Sequence, residues 1–593
     1  MMNTDAKPSA DQKLEIMRHS LSHIMAEAAQ ELFPGVKYGI GPAIDNGFYY
    51  DFDISNLTTE DLPKIEKRMQ ELIKQDQPFV RENITKEAAR QLFKDQPYKL
   101  QLIEELQDGE ITIYKCGQFV DLCAGPHVES TRKISLDGFK LDKIAGAYWR
   151  GSEKNPMLQR IYGLAFKNRK DLDEYIKLQE EIKKRDHRVI GKDLDLFVFT
   201  DLIGKGLPIF TEKGSVIRRV LERFVVDEEI KRGYKHIYSP DLANIELYKT
   251  SGHYPYYKET MYPLMKVDDE ELMLRPMTCP HHFQYYASKP RSYKELPFRI
   301  AELAKQFRYE KSGELTGLIR VRSFCLADSH IICQKEQAVS ELNTVLDLIE
   351  FMSVTLGLNT GDNYRYRLSL GNRQEDKKYY KDDAAWDAAE DVLRSVLTQR
   401  KANFYEAANE AAFYGPKIDI QMRNFAGKED TVFTVQYDFV MPKRFKLTYI
   451  DKDGKEKEPI VIHRSSIGAI ERTFAFLIEH YAGAFPIWLS PVQAMVIPVS
   501  DQYNDYARKV EGELKSANIR VQVDDSAERM NQKIRQAQLE KIPCMIIVGE
   551  KEVTDSTVSV RLRTGKQLPA LPLGQFKEQL LKVIAEKSRD FEI

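Results

Sequence analysis

The sequence predicts an α+β protein of several domains, and three observations lead to that fold class. The chain has 593 residues, which is too long for a single hydrophobic core and suggests three or four domains. Residues 307–310 and 317–324 read as a strand, a loop and a second strand. Beyond Pro491, short apolar strands alternate with amphipathic helices, a pattern typical of an α/β module.

The predicted hairpin carries a set of side chains that suits ATP. A forked guanidinium binds two oxygens at once, so Arg308 can offset negative charge that builds on an α-phosphate. Glu310 can accept a hydrogen bond from the exocyclic amine of adenine, Phe324 can stack on the base, and Arg320 can hold the γ-phosphate. A lone Arg-x-x-Glu is more often a β-hairpin with solvated charges, so a second segment has to support this interpretation.

That segment is Gly468-Ala469-Ile470-Glu471-Arg472, which opens an apolar helical run and supplies a second arginine. Together the two segments resemble motifs 2 and 3 of the class II aminoacyl-tRNA synthetases. The resemblance implies a catalytic domain built on an antiparallel sheet flanked by helices. The segment 206–240 contains a long predicted helix, 215–231, and a predicted strand, 233–240, and it resembles motif 1 of the same class. This resemblance implies a homodimer.

Three widely separated residues, Cys279, His330 and His463, are candidate metal ligands. Their spacing alone favours a buried cysteine and two hydrogen-bonded histidines. However, the segment 191–593 closely resembles the threonyl-tRNA synthetases, in which these three positions carry a zinc ion. One thiolate and two imidazoles make a three-ligand site with an open position. The resemblance thus implies one Zn²⁺ per subunit in the catalytic domain, and Mg²⁺ bound with ATP.

An open zinc site has a clear purpose in this family. Threonine and valine are nearly isosteric, so an apolar pocket separates them poorly, whereas a metal ligated by an amine and a hydroxyl rejects valine. The resemblance places Asp328 against the bound amino acid, makes Tyr414 the residue that closes the pocket, and assigns Gln436 to the ATP site. For Tyr414 the alternative is simple packing.

Serine escapes this discrimination because it also carries an amine and a β-hydroxyl, so a second site is needed. His19 and His23 lie one helical turn apart, and Cys123 and His127 add a thiol and a third imidazole. Together they resemble the editing domain shared by threonyl- and alanyl-tRNA synthetases, and the run 146–151 strengthens the threonyl match. The implied reaction is hydrolysis of seryl-tRNA(Thr).

Two interpretations of the editing residues stay open. In the first, His19 or Lys99 positions or deprotonates a water molecule while Asp121 orients its neighbours, since a neutral imidazole is a suitable base at cellular pH. In the second, the three histidines and the cysteine bind zinc.

The C-terminal module resembles the anticodon-binding domain of several class II synthetases. In it Glu552 and Arg561 match positions that contact anticodon bases, since such side chains can address the edges of splayed bases. A surface ion pair is the alternative. The predicted domains are a polar N-terminal tail (1–13), an editing domain (14–166), a linker helix (167–190), a class II catalytic domain (191–488) and an anticodon-binding domain (489–593).

The composition is compatible with this organisation. The formal net charge of −2 does not by itself indicate nucleic acid, but a local basic face suffices to bind a polyanion. The start of the chain lacks the apolar core of a secretory signal, and no apolar run is long enough to cross a bilayer, so we expect a cytoplasmic protein without a membrane partner. The four cysteines outside the candidate sites are expected to be reduced core residues: Cys116, Cys325, Cys333 and Cys544.

The sequence departs from the family pattern at several positions. The resemblance predicts Gln-Asp where Leu326 and Ala327 stand, so a polar contact to the substrate is missing or is supplied by another residue. Thr431 replaces an expected glutamine, and Ala527 replaces an asparagine that often meets the anticodon. His19 lies too near the start for the ubiquitin-like domain that usually precedes the editing domain.

The function that this resemblance implies is therefore that of a threonine–tRNA ligase. Its substrates would be ATP, L-threonine and tRNA(Thr), and its editing domain would remove serine. The alternative is a synthetase paralogue that acts as an RNA-binding regulator or as an editing-only factor. The joint presence of the nucleotide residues and the metal candidates argues against that alternative.

Overall fold

The structure is a computed structural model that describes residues 9–591 except Asn56, Asp108, Glu110, Asp376 and Asp590. Most of the predicted tail, 1–13, therefore lies outside the described residues. The chain divides into two compact units, Met1–Glu181 and Ile182–Ile593.

The first unit contains two antiparallel sheets and one long helix that carries candidate site residues. The larger sheet has the order β1-β3-β8-β7, with β2 paired to β3, and the smaller has the order β4-β5-β6. The strands are β1 Lys37–Tyr38, β2 Ala43–Ile44, β3 Gly47–Asp53, β4 Val80–Asn83, β5 Thr112–Cys116, β6 Phe119–Leu122, β7 Phe139–Tyr148 and β8 Met157–Ala165. The helices are α1 Ala10–Leu32, α2 Leu62–Lys74, α3 Lys86–Leu92, α4 Pro97–Glu105 and α5 Arg169–Arg185, the last of which continues into the second unit.

Helix α1 begins where the sequence provides a cap. The Ser9 side chain accepts from the Gln12 N–H, and the Gln12 side chain accepts from the Ser9 N–H, which satisfies two N-terminal donors reciprocally. Leu21, Ile24 and Met25 are fully buried on this helix. Their burial fixes the rotation of α1 and directs His23 into the protein.

The second unit is organised around an eight-stranded sheet with the order β11-β15-β16-β23-β20-β19-β17-β18. Its interior pairs are antiparallel, and only the two outermost pairs are parallel. The strands of this region are β9 Phe197–Val198, β10 Ile209–Phe210, β11 Lys235–His236, β12 Leu242–Asn244, β13 Met265–Val267, β14 Glu270–Leu274, β15 Phe298–Phe307, β16 Ser323–Cys333, β17 Tyr364–Ser369, β18 Phe404–Ala407, β19 Lys417–Arg423, β20 Glu429–Asp438, β21 Tyr449–Ile450, β22 Glu456–Lys457 and β23 Ile460–Ala469. The helices are α6 His187–Asp193, α7 Glu212–Lys231, α8 Ile245–Ser251, α9 His253–Tyr256, α10 Cys279–Ala287, α11 Ala338–Thr355, α12 Asp383–Gln399, α13 Met441–Phe445 and α14 Ile470–Tyr481.

The predicted hairpin is confirmed as β15 and β16, which pair in continuous antiparallel register from Phe298↔Ile332 to Phe307↔Ser323. The strand predicted over 233–240 is shorter than expected. Only Lys235–His236 pairs with β15, because the Ser239 N–H bonds to the Glu302 carboxylate and not to the sheet.

The C-terminal part of this unit is the predicted α/β module. Its sheet has the order β25-β24-β26-β27-β28, with parallel pairing around β24 and antiparallel pairing beyond β26. Its elements are β24 Ala494–Pro498, α15 Asn504–Ser516, β25 Val521–Val523, α16 Met530–Leu539, β26 Cys544–Val548, α17 Glu550–Asp555, β27 Thr557–Leu562, β28 Leu571–Pro572 and α18 Leu573–Glu586.

Cys116, Cys325, Cys333 and Cys544 are free and buried, as predicted for core thiols. Over the residues that the structure describes, every helix is too short or too polar to cross a bilayer.

Candidate functional site

A cavity of about 560 Å³ lies on one face of the eight-stranded sheet. It contains every residue that the sequence assigned to nucleotide, amino-acid or catalytic-domain metal binding. These residues, remote along the chain, are Cys279, Arg308, Glu310, Arg320, Phe324, Asp328, His330, Tyr414, Gln436, His463 and Arg472.

Two arginines give this cavity its charge. Burial lowers the pKa of Arg308, and the nearby positive charge of Arg472 lowers it further. Burial is also the main cause of the lowered pKa of Arg472. Within the described part of the chain, neither guanidinium forms an ion pair with a carboxylate. Because two neighbouring positive charges without carboxylate partners repel each other, the two arginines favour an anionic ligand.

The sheet and the loops fix both arginines. Arg308 directly follows β15, and its guanidinium lies 5.0 Å from the centre of the Phe324 ring. Arg472, in the first turn of α14, donates to the carbonyls of Ile319 and Thr431. The approach to α14 requires glycine, since a Cβ on Gly468, which has a φ of +71°, would lie 2.3 Å from the Val432 carbonyl oxygen.

Two residues with separate predicted roles contact each other. Arg320 Nε donates to Glu310 Oε2 at 2.8 Å, and Arg320 also reaches Glu314 at 3.4 Å. The sequence predicted that Arg320 binds the γ-phosphate and Glu310 the adenine amine. Both interactions would require this ion pair to open.

The loop between β15 and β16 is held by a buried histidine that sequence reasoning missed. His187 Nε2 accepts from the Leu318 N–H at 3.1 Å, and its Nδ1 donates to Glu479 at 2.8 Å. A Cβ on Gly317 would lie 2.1 Å from His187 Nε2, so the loop packs directly on the ring. Asp186, His187 and Glu479 are close enough to share a cation, but both ring nitrogens are already used.

The candidate zinc ligands converge. Cys279 at the start of α10, His330 on β16 and His463 on β23 are all buried, and their ligand atoms lie within 4.8 Å of one another. His330 and His463 are directly paired across the two strands. The donor set of one sulfur and two imidazoles suits zinc, so these residues fit that ion.

Outer hydrogen bonds orient both imidazoles. His463 Nε2 lies 2.7 Å from Asp438 Oδ2, and His330 Nδ1 lies 2.8 Å from His282 Nδ1. His282 in turn contacts Glu302. These contacts leave His463 Nδ1 and His330 Nε2 as the ring nitrogens available to an ion, and such outer partners normally fix metal-ligand tautomers.

Burial sets the protonation of the three candidate ligands. It raises the pKa of the Cys279 thiol well above its ordinary value and lowers the pKa of His330 well below its own. A neutral imidazole is ready to ligate, whereas the thiol must lose its proton on metal binding.

The predicted amino-acid residues lie beside this cluster. The Tyr414 ring stacks on His463 with centroids 4.9 Å apart, and its hydroxyl donates to Gln436 Oε1 at 2.5 Å. Gln436, predicted to contact ATP, is thus bonded to the residue predicted to close the threonine pocket. Asp328 lies close to Gln306, whose Nε2 is 3.4 Å from Asp328 Oδ2.

Sequence reasoning missed two further residues that line the cavity, Gln306 and His253, and also Thr278, which is hydrogen-bonded to Gln306. Gln306 precedes the recognised Phe307-Arg308 segment by one position, and Thr278 precedes Cys279. His253 lines the cavity with its Nδ1 bonded to Ser251. Proximity in sequence to recognised residues was the available signal for Gln306 and Thr278, and His253 had none.

The editing candidates also converge within the first unit. His19, His23, Cys123 and His127 place their ligand atoms within 4.8 Å of one another. His19 Nδ1 donates to the Pro126 carbonyl, and His127 Nδ1 bonds to Ser20. The Nε2 atoms of His19 and His127 therefore direct their lone pairs at Cys123 Sγ, at distances of 3.4 Å and 3.3 Å respectively.

Burial keeps this group neutral. It lowers the pKa of His19, His23 and His127, and it raises the pKa of Cys123 to about 11. The arrangement suits either a neutral imidazole that accepts a proton or a set of metal ligands, so the geometry leaves both interpretations open.

Lys99 and Asp121 form an ion pair beside the quartet. Lys99 is buried and contacts Asp121 and the Tyr50 hydroxyl, which donates to Asp121 at 2.6 Å. Asp121 also approaches His23 Nε2 at 3.6 Å. These contacts support a role for Asp121 in orienting His23, and they hold Lys99 beside Asp121.

In the C-terminal module, Glu552 and Arg561 lie on neighbouring elements. The Glu552 carboxylate accepts from the Gly549 N–H at 2.9 Å and from the Ser559 hydroxyl at 2.7 Å. Arg561 lies on β27, and its Nε has no hydrogen-bond partner among the described residues. The surface ion pair between the two is not formed in the described structure.

Family models match three regions of the chain. The tRNA synthetase class II core domain (G, H, P, S and T) matches residues 262–481, and the anticodon binding domain matches 493–583. The threonyl and alanyl tRNA synthetase second additional domain matches 111–162.

Similar whole proteins include threonine–tRNA ligases from three bacteria. The chain is 48% identical to that of Streptococcus suis over 591 residues, which cover 99% of this chain and 90% of the relative. The corresponding values are 48%, 96% and 89% for Anoxybacillus flavithermus, and 49%, 97% and 88% for Geobacillus kaustophilus. Among solved structures, the RNA binding domain of threonyl-tRNA synthetase from Cryptosporidium parvum matches with a TM-score of 0.64 at 35% identity, covering 69% of this chain and 99% of that chain.

Proposed function

The chain belongs to the threonine–tRNA ligase family of class II aminoacyl-tRNA synthetases, and from this premise we propose how its own residues carry out the reaction. Threonine is activated with ATP to threonyl-adenylate and then transferred to tRNA(Thr), while the first unit hydrolyses seryl-tRNA(Thr). The family assignment favours this function over an RNA-binding regulator or an editing-only factor.

One observation carries the proposal. Two neighbouring guanidinium groups, Arg308 and Arg472, have no carboxylate partner in the described chain and share a cavity with a buried Cys-His-His cluster. A protein that only bound RNA would have no use for two mutually repelling arginines gathered beside a metal-type donor set. An enzyme that joins a triphosphate to a hydroxylated amino acid uses both.

In the first step, a carboxylate oxygen of threonine attacks the α-phosphorus of ATP, and the bond to the departing pyrophosphate breaks. Arg308 would hold the α-phosphate and Arg472 would bind the phosphates from the side of α14, so that negative charge forms in a site already organised for it. Phe324 would stack on adenine. Arg320 and Glu310 would exchange their mutual ion pair for the γ-phosphate and the adenine amine.

In the second step, a hydroxyl of the terminal tRNA ribose attacks the threonyl carbonyl carbon and the bond to AMP breaks. Mg²⁺ would enter with ATP. The resulting ester carries the amino acid on tRNA, and any serine attached in this way becomes the substrate of the editing site.

We assign zinc to Cys279, His330 and His463 because the residues fit it in donor type, burial and proximity. When bound, the ion supplies a position that a hydroxyl and an amine can fill together. Asp438 and His282 hold the two imidazoles in the required orientation, Tyr414 covers the pocket, and Asp328 accepts a hydrogen bond from the amino acid.

ATP–pyrophosphate exchange with threonine, serine and valine tests the proposed activity. We expect exchange with threonine, weaker exchange with serine, almost none with valine, and loss of all exchange after chelation. Absence of threonine-dependent exchange in metal-replete protein would contradict the proposal.

For editing, we propose that His19 positions or deprotonates the hydrolytic water and that Asp121 orients Lys99 and His23. His19→Ala should slow hydrolysis of seryl-tRNA(Thr) by about 10²-fold and leave threonine activation unchanged, because the adenylation residues all lie in the second unit. The measurement is deacylation of preformed seryl-tRNA(Thr) alongside exchange. Lys13→Ala, an exposed change on the same helix, is the control.

Metal content decides between the two interpretations of the quartet. A zinc content of one ion per chain, both in the wild-type protein and in Cys123→Ala, supports the hydrolytic interpretation. A second zinc that is lost in Cys123→Ala and in His127→Ala would replace it with a metal site.

We also propose that His187 positions the loop that carries Arg320. His187→Asn should raise the KM for ATP about tenfold, because the Leu318 N–H would lose a buried hydrogen bond, with little change in the KM for threonine. Steady-state exchange kinetics measure both constants. Arg188→Ala, which changes the exposed neighbour, is the control, and equal effects of the two variants would refute the assignment.

Three further assignments stay proposals. Glu552 and Arg561 would contact the anticodon, with Glu552 using lone pairs not engaged by Gly549 and Ser559, and reduced tRNA affinity of Arg561→Ala would support this role. A homodimer through the segment 206–240 is tested by sedimentation. A cytoplasmic location stays a prediction from the sequence.

A further inference from the structure

Gln306 is a buried polar residue in the cavity whose amide is only half satisfied. It lies on β15, lines the cavity and is 1% exposed. Its Nε2 donates to Thr278 Oγ1 at 3.0 Å and approaches Asp328 Oδ2 at 3.4 Å. Its Oε1 has no hydrogen-bond partner among the described residues.

The orientation of this amide follows from its neighbours. The Asp328 carboxylate is an acceptor, and the Thr278 hydroxyl is hydrogen-bonded to Asp328, which leaves the Thr278 oxygen free to accept. Both partners therefore require the NH₂ side of Gln306. The carbonyl oxygen has to be the atom that lacks a partner.

A buried carbonyl oxygen without a donor is destabilising, so a donor from a ligand is the expected partner. Among the groups proposed to enter this cavity, the phosphates carry only acceptors, and the adenine amine is assigned to Glu310. The donors that remain are the ribose hydroxyls of ATP and the hydroxyl and amino groups of threonine. Gln306 borders Asp328, which is assigned to the amino acid, so threonine is the nearer source. Its amino group has more than one N–H bond to share between Asp328 and Gln306, whereas its hydroxyl has a single proton.

We propose that Gln306 is a substrate-binding residue whose amide oxygen accepts a hydrogen bond from the amino group of threonine. This inference rests on the proposed function and deepens it. It also explains the departure at Leu326, where the family resemblance predicts a glutamine: the polar contact comes from the neighbouring strand.

The register of the sheet supports the idea that Gln306 on β15 supplies the amide expected at position 326 on β16. Gln306 is directly opposite Phe324, and Leu326 is the next residue along β16 on the same face. Such diagonal neighbours lie within reach of long side chains, and both residues line the cavity. A single amide can therefore serve the pocket from either strand.

Gln306→Leu tests the proposal by removing both polar groups with little change in size. We expect the KM for threonine to rise at least about tenfold, the loss of a hydrogen bond to a charged or metal-bound amine, while the KM for ATP changes less than about twofold. The swapped variant Gln306→Leu/Leu326→Gln should recover most of the lost affinity. Leu326→Met is the matched control for a change at the second position.

Three amino acids separate direct contact from an effect through Asp328. If Gln306 binds the amine, Gln306→Leu weakens threonine, serine and the competitive inhibitor valine by similar factors, since all three carry an amine. If Gln306 only orients Asp328 toward the hydroxyl, threonine and serine weaken but the Ki of valine does not change, and direct binding is overturned.

A threonine KM within about twofold of the wild-type value in Gln306→Leu would overturn the proposal altogether. Should that variant fail to fold, as judged by its melting temperature, Gln306→Asn retains an amide but withdraws its oxygen by one methylene, and the same rise is expected. Failure of the proposed function is distinguishable, because the wild-type protein would then lack threonine-dependent exchange.

Discussion

Cys279→Ala is expected to reduce threonine-dependent ATP–pyrophosphate exchange at least about 10³-fold, because the loss of one of three ligands releases the ion that recognises the substrate hydroxyl. Zinc content should fall from one per chain to nearly none. Exchange assays on the purified variant, paired with elemental analysis, measure both quantities.

Cys333→Ala provides the matched control for this prediction. Cys333 is also fully buried and lies on β16 with His330, but it is outside the metal group. We expect it to cost some stability while zinc content and exchange remain. If Cys279→Ala kept more than about a tenth of the exchange rate, the amino acid would be recognised without the ion.

Arg308→Lys is expected to lower kcat for adenylate formation about 10³-fold, since an ammonium cannot bind two phosphate oxygens at once and this contact strengthens in the transition state. The KM for threonine should change little. Single-turnover formation of threonyl-adenylate isolates the chemical step from product release.

The control for Arg308→Lys is Arg299→Lys on β15, the strand that Arg308 directly follows. Arg299 pairs with Glu341 through two hydrogen bonds and does not line the cavity. We expect it to change the melting temperature more than the rate. A drop in kcat below tenfold for Arg308→Lys would assign the α-phosphate to Arg472 or to the metal bound with ATP.

The helices and strands of the C-terminal module could be predicted from the sequence, because their apolar residues recur with a clear period. Apolar periodicity predicts strands over 494–499 and 544–548 and helices over 503–516 and 529–540. The observed elements, Ala494–Pro498, Cys544–Val548, Asn504–Ser516 and Met530–Leu539, lie within one residue of these bounds. The strand predicted over 233–240 is too long, because the Ser239 backbone N–H donates to the Glu302 side chain and not to a strand neighbour. A hydrogen bond of this kind joins residues far apart in the chain, so no local sequence pattern predicts it.

The candidate site divides in the same way. Cys279, His330 and His463 were recognised by resemblance. The register of β16 and β23 explains why the two histidines meet, and the start of α10 supplies the cysteine. Gln306 and His187 were missed because their roles depend on hydrogen bonds to segments that are distant in the sequence. Leu326 was noticed as a departure, but the sequence offered no residue to compensate for it until the sheet placed Gln306 diagonally across from it.

The departure at Thr431 has a similar explanation. The Gln421 side chain, which belongs to the cross-strand partner of Thr431, donates to its hydroxyl at 2.6 Å, and the Thr431 carbonyl accepts from Arg472. A glutamine amide is therefore still present next to Thr431, although Thr431 and not Gln421 lines the cavity. Ala527 is exposed, and nothing in the structure explains the residue found there.

X-ray absorption at the zinc edge, recorded on the purified protein with and without threonine, tests the central claim most directly. The account predicts one sulfur at about 2.3 Å and two imidazole nitrogens at about 2.0–2.1 Å, with added light-atom ligands when threonine binds and no such change with valine. A spectrum without sulfur, or one that threonine leaves unaltered, would contradict the claim that Cys279, His330 and His463 hold the ion that reads the amino acid.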